Sequence, residues 1–207
     1  RPPARHPGRG AVFLAAGAAI GVGLFAIVCF SLTFLRVATL AEAQAAPPLF
    51  FPLIHFFAGA ICEELIFRGV IFRLLEQAFG TLPSLLLSAA LFGMAHVANP
   101  AASAIGAVTI GVESGVLLAL AHRTTGTLWA PVGLHFGWNF AESVIFGMSV
   151  SGHPSSGLLR MQTSGPEVLP GGSAGRRLGL WRWGCVSRWP LSSSGLQGAV
   201  TGGSGCV

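Results

Sequence analysis

The sequence predicts an all-α fold, a polytopic transmembrane helix bundle of about five apolar segments with an irregular C-terminal tail. Three observations predict it. First, 9% of the 207 residues are charged against 52% that are hydrophobic. A soluble domain carries about 25% charged residues, so a water-facing surface cannot be assembled from this composition. Second, apolar runs near the roughly 20 residues that cross hydrocarbon recur between residues 11 and 150. Third, apart from Arg68, the arginines sit in the termini and at the ends of those runs. The formal net charge of +5 is therefore that of membrane anchors, and no basic stripe for nucleic acid is present.

The basic, Pro-rich opening "RPPARHPGRG", residues 1–10, reads as a tail, and without a starting Met the chain reads as a fragment or a trimmed product. Residues 11–35 have the length of a retained membrane helix and lack a clear small-residue cleavage site. Further apolar segments follow at about 49–79, 82–98, 101–122 and 127–149, the third of them short. They are divided by "AEAQAAPP", "FGTLP", "ANPAA" and "HRTTG", which are Pro, Gly and small-polar breaks. Five crossings put Arg1, Arg5, Arg9, Arg73 and Arg123 on one side, which the positive-inside rule makes cytoplasmic, while Arg36 and Arg160 dissent. Trp129 fits an interfacial anchor. The pairs Gly17/Gly21, Gly111/Gly115 and Gly133/Gly137 have the small-xxx-small spacing that lets membrane helices approach closely.

Residues 151–207 read as a Gly/Ser/Arg/Trp-rich tail without helical or strand period. From about residue 170, "RRLGLWRWGCVSRW" also has the look of a shifted reading frame. Cys29, Cys62, Cys185 and Cys206 match no zinc or disulfide spacing, and the first two read as small core residues.

The chemistry concentrates in three of the apolar segments. In "ICEELIFRGV", Glu63, Glu64 and Arg68 interrupt the second segment, at about 2.5–3.5 kcal/mol of insertion cost for each charge near a helix centre. Glu64 and Arg68 lie at i, i+4 and can pair. Glu63 points about 100° away and has no partner in its own helix. "LFGMAH" supplies Phe92 and His96 one turn apart. Counted from the Gly80 turn, Glu63 lies about seventeen positions before and His96 about sixteen after, so two antiparallel helices hold them at one depth. "LHFGWNFAE" supplies His135 and Asn139 at i, i+4, with Glu142 at i+7. By the same count His135 falls a turn or two nearer the cytoplasmic end, a gap that tilt or an irregular start at Pro131 would have to close.

A carboxylate and a histidine at one depth can hold and deprotonate water. A His/Asn pair can donate to a developing oxyanion. Equally, Glu63, His96 and His135 are residue types able to ligate a divalent metal. Each piece also has a plain packing role: an i, i+4 bridge, a satisfied histidine, interhelical polar glue. His55, eight residues before Glu63, reads mainly as packing, Glu113 as a further buried charge, and His6, His122 and His153 as tail, interface and loop.

These residues together resemble the CPBP family of intramembrane proteases, which includes the CAAX prenyl endopeptidases and bacteriocin-processing or immunity proteins. The first family motif is matched by Glu63, Glu64 and Arg68, the second by Phe92 and His96, the third by His135 and Asn139, across about residues 50–150. The resemblance implies a multi-pass protein of the bacterial cell membrane that hydrolyses a peptide bond of a membrane-associated protein, of the CAAX-type prenylated class in one branch of the family. In that implied site Glu63 and His96 activate water, His135 and Asn139 stabilise the oxyanion, and Glu64, Arg68 and Phe92 support them. A zinc-type metal on Glu63, His96 and His135 and a metal-free glutamate mechanism are equally compatible with it. Family members usually carry more membrane helices. The alternatives are a non-catalytic immunity or binding protein that keeps the motifs as a structural knot, and a small transporter.

Overall fold

The computed structural model describes residues 8–41, 49–99, 103–151 and 157–163. His6, His153, Arg1, Arg5, Cys185, Cys206 and the stretch from residue 164 onward, where the frameshift was expected, lie outside them. Helix α1 is Gly10–Phe34, α2 is Phe50–Phe79, α3 is Thr81–Ala98 and α4 is Ala104–Thr125, and all four are long and apolar enough to cross a membrane. Helix α5, Trp129–Phe140, continues through a wider π-type turn at Ala141–Ile145. It is the fifth apolar segment of the sequence, and Ala130 to His135 are all buried. The chain is an integral membrane helix bundle.

The breaks follow from local chemistry. Gly80 joins α2 to α3 at φ 79°, a backbone region that favours glycine. α3 tightens into a 3₁₀ turn at His96–Ala98 and stops at Asn99, which is extended ahead of Pro100. Ser103 caps α4, its Oγ accepting the Gly106 N–H at 3.0 Å. Gly126 ends α4 in the left-handed region. Pro131 falls within the first turn of α5, where it forfeits no helical hydrogen bond, so that start is regular.

All three glycine pairs make contacts. Gly17 and Gly21 of α1 lie on Gly133 and Gly137 of α5. A Cβ at Gly17 or Gly21 would collide with the carbonyls of Ala130 or Leu134, and one at Gly133 or Gly137 with those of Leu14 or Ala18. Gly111 and Gly115 of α4 lie against Ala89 and Gly93 of α3. Lipid supplies no hydrophobic drive between helices, so this backbone contact is what binds α1 to α5 and α3 to α4.

A two-stranded antiparallel sheet adds to the helices. β1, Ala38–Ala41, follows α1 and pairs with β2, Arg160–Thr163, with Ala41 opposite Arg160. β2 thus lies within the residues read from sequence as tail. Its Met161 joins Phe25, Cys29, Leu32, Ala38, Ala141 and Phe146 in one apolar cluster at that end of α1 and α5. The dissenting Arg36 and Arg160 gather here, at the opposite end from Arg9, Arg73 and Arg123. Two expectations need correction. Cys62 is exposed on α2 and only Cys29 is buried, and Glu113 is exposed on α4.

The α1–α5 contact predicts opposite outcomes for two neighbouring glycines. Gly21→Ala places a Cβ against the Leu134 carbonyl and lowers stability by about 1–3 kcal/mol. Gly23→Ala meets no atom within 4 Å and raises stability by up to about 1 kcal/mol through helix propensity. Denaturant unfolding in detergent micelles measures both.

Candidate active site

Glu64 and Arg68 form the floor of the site. Both are fully buried, and Arg68 Nη1 donates to Glu64 Oε1 at 2.9 Å. The i, i+4 spacing on α2 creates this pair, which sits where the helix widens into a π-type stretch at Leu65–Phe72. Two contacts were not legible in the sequence. Arg68 Nη2 donates to the carbonyls of Gly115 at 3.0 Å and Ser114 at 3.3 Å, both on α4. Its guanidinium also lies over the Phe92 ring, 4.4 Å from the centroid, a cation–π contact strengthened by exclusion of water.

Phe92, on α3, is the apolar hub. It is buried and packs its ring against Phe67 at 5.0 Å, His96 at 4.8 Å and His135 at 6.0 Å. Phe92 is thus a core aromatic in ring contact with both histidines.

The two histidines are oriented by their Nδ1 atoms. His96 Nδ1 donates to the Phe92 carbonyl at 2.8 Å, one turn back on α3. His135 Nδ1 lies 3.0 Å from Glu64 Oε1, the oxygen that also accepts from Arg68. A carbonyl only accepts, and so does a carboxylate held by an arginine, so both rings carry hydrogen on Nδ1. Their bare Nε2 atoms then face one oxygen: Glu63 Oε2 is 3.7 Å from His96 Nε2 and 3.9 Å from His135 Nε2. That oxygen is buried and has no hydrogen-bond partner among the described residues. The Glu63 side chain as a whole is 37% exposed, against 11% for His96 and 8% for His135.

The expected depth gap at His135 is closed by where α5 begins. The Leu128 side chain lies 3.6 Å from the position a Gly69 Cβ would take, so α5 starts at the level of Gly69 and not at the Gly80 turn. From there Glu63 is six residues along α2 and His135 seven along α5, about the same rise. A loop inset into the bundle does what tilt or a broken first turn would otherwise have had to do.

Asn139 is half-buried one turn beyond His135 on the same face, and its amide makes no hydrogen bond among the described residues. Glu142, a turn further, takes a hydrogen bond from the Trp138 side chain. His55 is exposed and stacks on Phe51 at 5.9 Å, away from the site. His122 closes the end of α4, with Nδ1 3.3 Å from the Thr127 carbonyl. Among the described residues, no group of three or more His, Cys, Asp or Glu side chains is disposed to hold a metal ion.

The arrangement brings Glu63, His96 and His135 from three helices onto one oxygen, above a dry Glu64–Arg68 floor, with a free amide donor one turn away. No curated protein and no solved structure matches the chain. Residues 45–141, however, match the family model described as Rce1-like, type II CAAX prenyl endopeptidase Rce1-like. That span holds every residue of the three motifs. The part of the chain that builds the site is therefore similar to the Rce1-like type II CAAX prenyl endopeptidases, which is consistent with the resemblance to the CPBP proteases.

Proposed function

We propose that the chain is an intramembrane endopeptidase in which Glu63 and His96 activate a water, with His135 and Asn139 meeting the oxyanion. One observation carries this reading: Glu63 Oε2, buried and without a hydrogen-bond partner among the described residues, stands 3.7 and 3.9 Å from the Nε2 atoms of His96 and His135. Polar atoms held beyond direct hydrogen-bond reach are the geometry a bridging water satisfies. Such a water donates one hydrogen to Glu63 Oε2 and the other to His96 Nε2, which leaves an oxygen lone pair free to attack.

The steps balance. Glu63 takes the water's proton as its oxygen bonds to the scissile carbonyl carbon. The carbonyl becomes an oxyanion, met by the Asn139 amide and by His135, whose Nε2 takes a proton from solvent before the attack and keeps it through the cycle. The Glu64 carboxylate on Nδ1 holds the ring in that orientation. Collapse breaks the C–N bond, and the departing amine takes the proton from Glu63. The membrane raises the worth of each of these contacts by lowering the local dielectric. Substrates are membrane-associated proteins, and the family points to CAAX-type prenylated C-termini as the first to try.

A structural knot without catalysis is the competing reading, and the two adjacent glutamates separate them. Glu63→Gln is expected to cut turnover of a prenylated CAAX-type reporter peptide by about 10²- to 10⁴-fold. Its melting temperature should stay that of the parent, because Glu63 makes no hydrogen bond that stabilises the fold. A knot would instead lose stability with Glu63. Arg68→Met leaves Glu64 as an unpaired buried charge and should destabilise by about 3–5 kcal/mol in the same unfolding assay. Activity that survives chelators is expected of this route. Loss on chelation with recovery on zinc would reassign Glu63, His96 and His135 as metal ligands.

A further inference from the structure

We propose that the main chain of α4 positions the reacting groups, through the carbonyls of Gly115 and Ser114, although α4 contributes no polar side chain to the site. The inference rests on the peptidase reading for its effect on rate. Its geometry is independent of that reading.

In a regular helix each interior carbonyl accepts from the N–H four residues on. α4 departs from this at Gly111–Gly115, where it widens into a π-type turn, a feature that recurs at functional sites. There the Gly115 and Ser114 carbonyls are open to a side chain, and both accept from Arg68 Nη2. Nη1 of the same guanidinium holds Glu64 Oε1, and Glu64 Oε1 holds His135 Nδ1. The contacts form a chain: Gly115 carbonyl, Arg68, Glu64, His135 Nδ1, and then His135 Nε2 facing Glu63. A planar guanidinium fixes direction at both ends, so moving the α4 carbonyls turns the carboxylate and with it the imidazole.

What fixes those carbonyls is the contact of α4 with α3. A Cβ at Gly115 would stand 2.8 Å from Ala89 Cα and 3.0 Å from Ala89 Cβ, closer than such atoms approach. Gly115 thus lets α3 press on the residue that bonds Arg68. On α3, Phe92 and His96 follow Ala89 at three and seven positions, so the same contact sets their distance from Arg68. Gly115 and Arg68 are positioning residues, and the α3–α4 spacing is the quantity they transmit.

The test uses the full chain in detergent, with the reporter peptide and ¹⁵N-labelled histidine side chains. Gly115→Ala is expected to lower kcat by at least about tenfold with KM within about twofold, since small misplacements of reacting groups cost rate. The His135 ¹⁵N signals should lose their Nδ1–H tautomer pattern, and adding Ala89→Gly should recover part of both. Arg68→Lys, which keeps a cation beside Glu64 but gives up the fork, should shift His135 in the same direction. A folded Gly115→Ala with parental kcat and parental His135 signals overturns the proposal. If Gly115→Ala does not fold, Arg68→Lys with unchanged His135 signals overturns it instead. Should the parent fail to cleave the reporter, the peptidase reading fails, and the His135 spectrum alone still decides this one.

Discussion

The guanidinium of Arg68 is the constraint on which the site depends. A cation fully removed from water inside an apolar bundle is tolerated only if its charge and most of its donors are satisfied in place, and here Nη1 and Nη2 are bonded while Nε has no partner among the described residues. Glu64 supplies the counter-charge, Ser114 and Gly115 supply two carbonyls, and Phe92 supplies a ring face. These partners come from α2, α4 and α3. Satisfying one buried cation therefore specifies the mutual placement of three helices, and the specificity is directional because the fork is planar. An apolar replacement of similar volume would fill the space without that direction.

The fourth helix of the site, α5, is held by different physics. Where it faces α1, Gly133 and Gly137 lie against Gly17 and Gly21 and the two backbones touch, with Phe25 of α1 packed on Trp138 of α5 beyond them. This contact makes α5 the buried centre of the bundle, and the loop before it is drawn in to the level of Gly69. His135 reaches Glu63 because of that inset. Directional polar contacts around Arg68 and close backbone packing along α5 converge on one point, where Glu63 Oε2 meets two Nε2 atoms.

Much of this is legible in the sequence, and the parts that are not share a cause. Helix number, the Glu64–Arg68 pair, the equal depth of Glu63 and His96, and the three glycine pairs all follow from periodicity and spacing within or between adjacent helices. The Arg68–Gly115 and Glu64–His135 bonds do not, because they join residues 47 and 71 positions apart through atoms whose direction no spacing rule gives. The depth of His135 was misjudged because counting from the ends assumes that every helix starts at the same plane. Likewise β2 hides in a stretch without period, since a four-residue strand is fixed by its partner β1 and by Met161 in the apolar cluster. Cys62 illustrates the remaining error: within a membrane span, an apolar neighbourhood does not separate a core face from a lipid face.

The question the sequence poses, why two glutamates stand side by side where hydrocarbon is expected, resolves into a division of roles set by helix geometry. Consecutive residues on a helix diverge by about 100°. Glu64 therefore turns into the bundle, where Arg68 and His135 consume one of its oxygens and water is excluded. Glu63 turns toward the opening, keeps 37% of its surface exposed, and leaves an oxygen unbonded before two bare imidazole nitrogens. A single glutamate could not do both, because the contacts that would fix an imidazole would neutralise the base. On the proposed peptidase reading, placing the two functions on adjacent residues lets a dry, rigid carboxylate orient the imidazole while its neighbour stays free to take a proton.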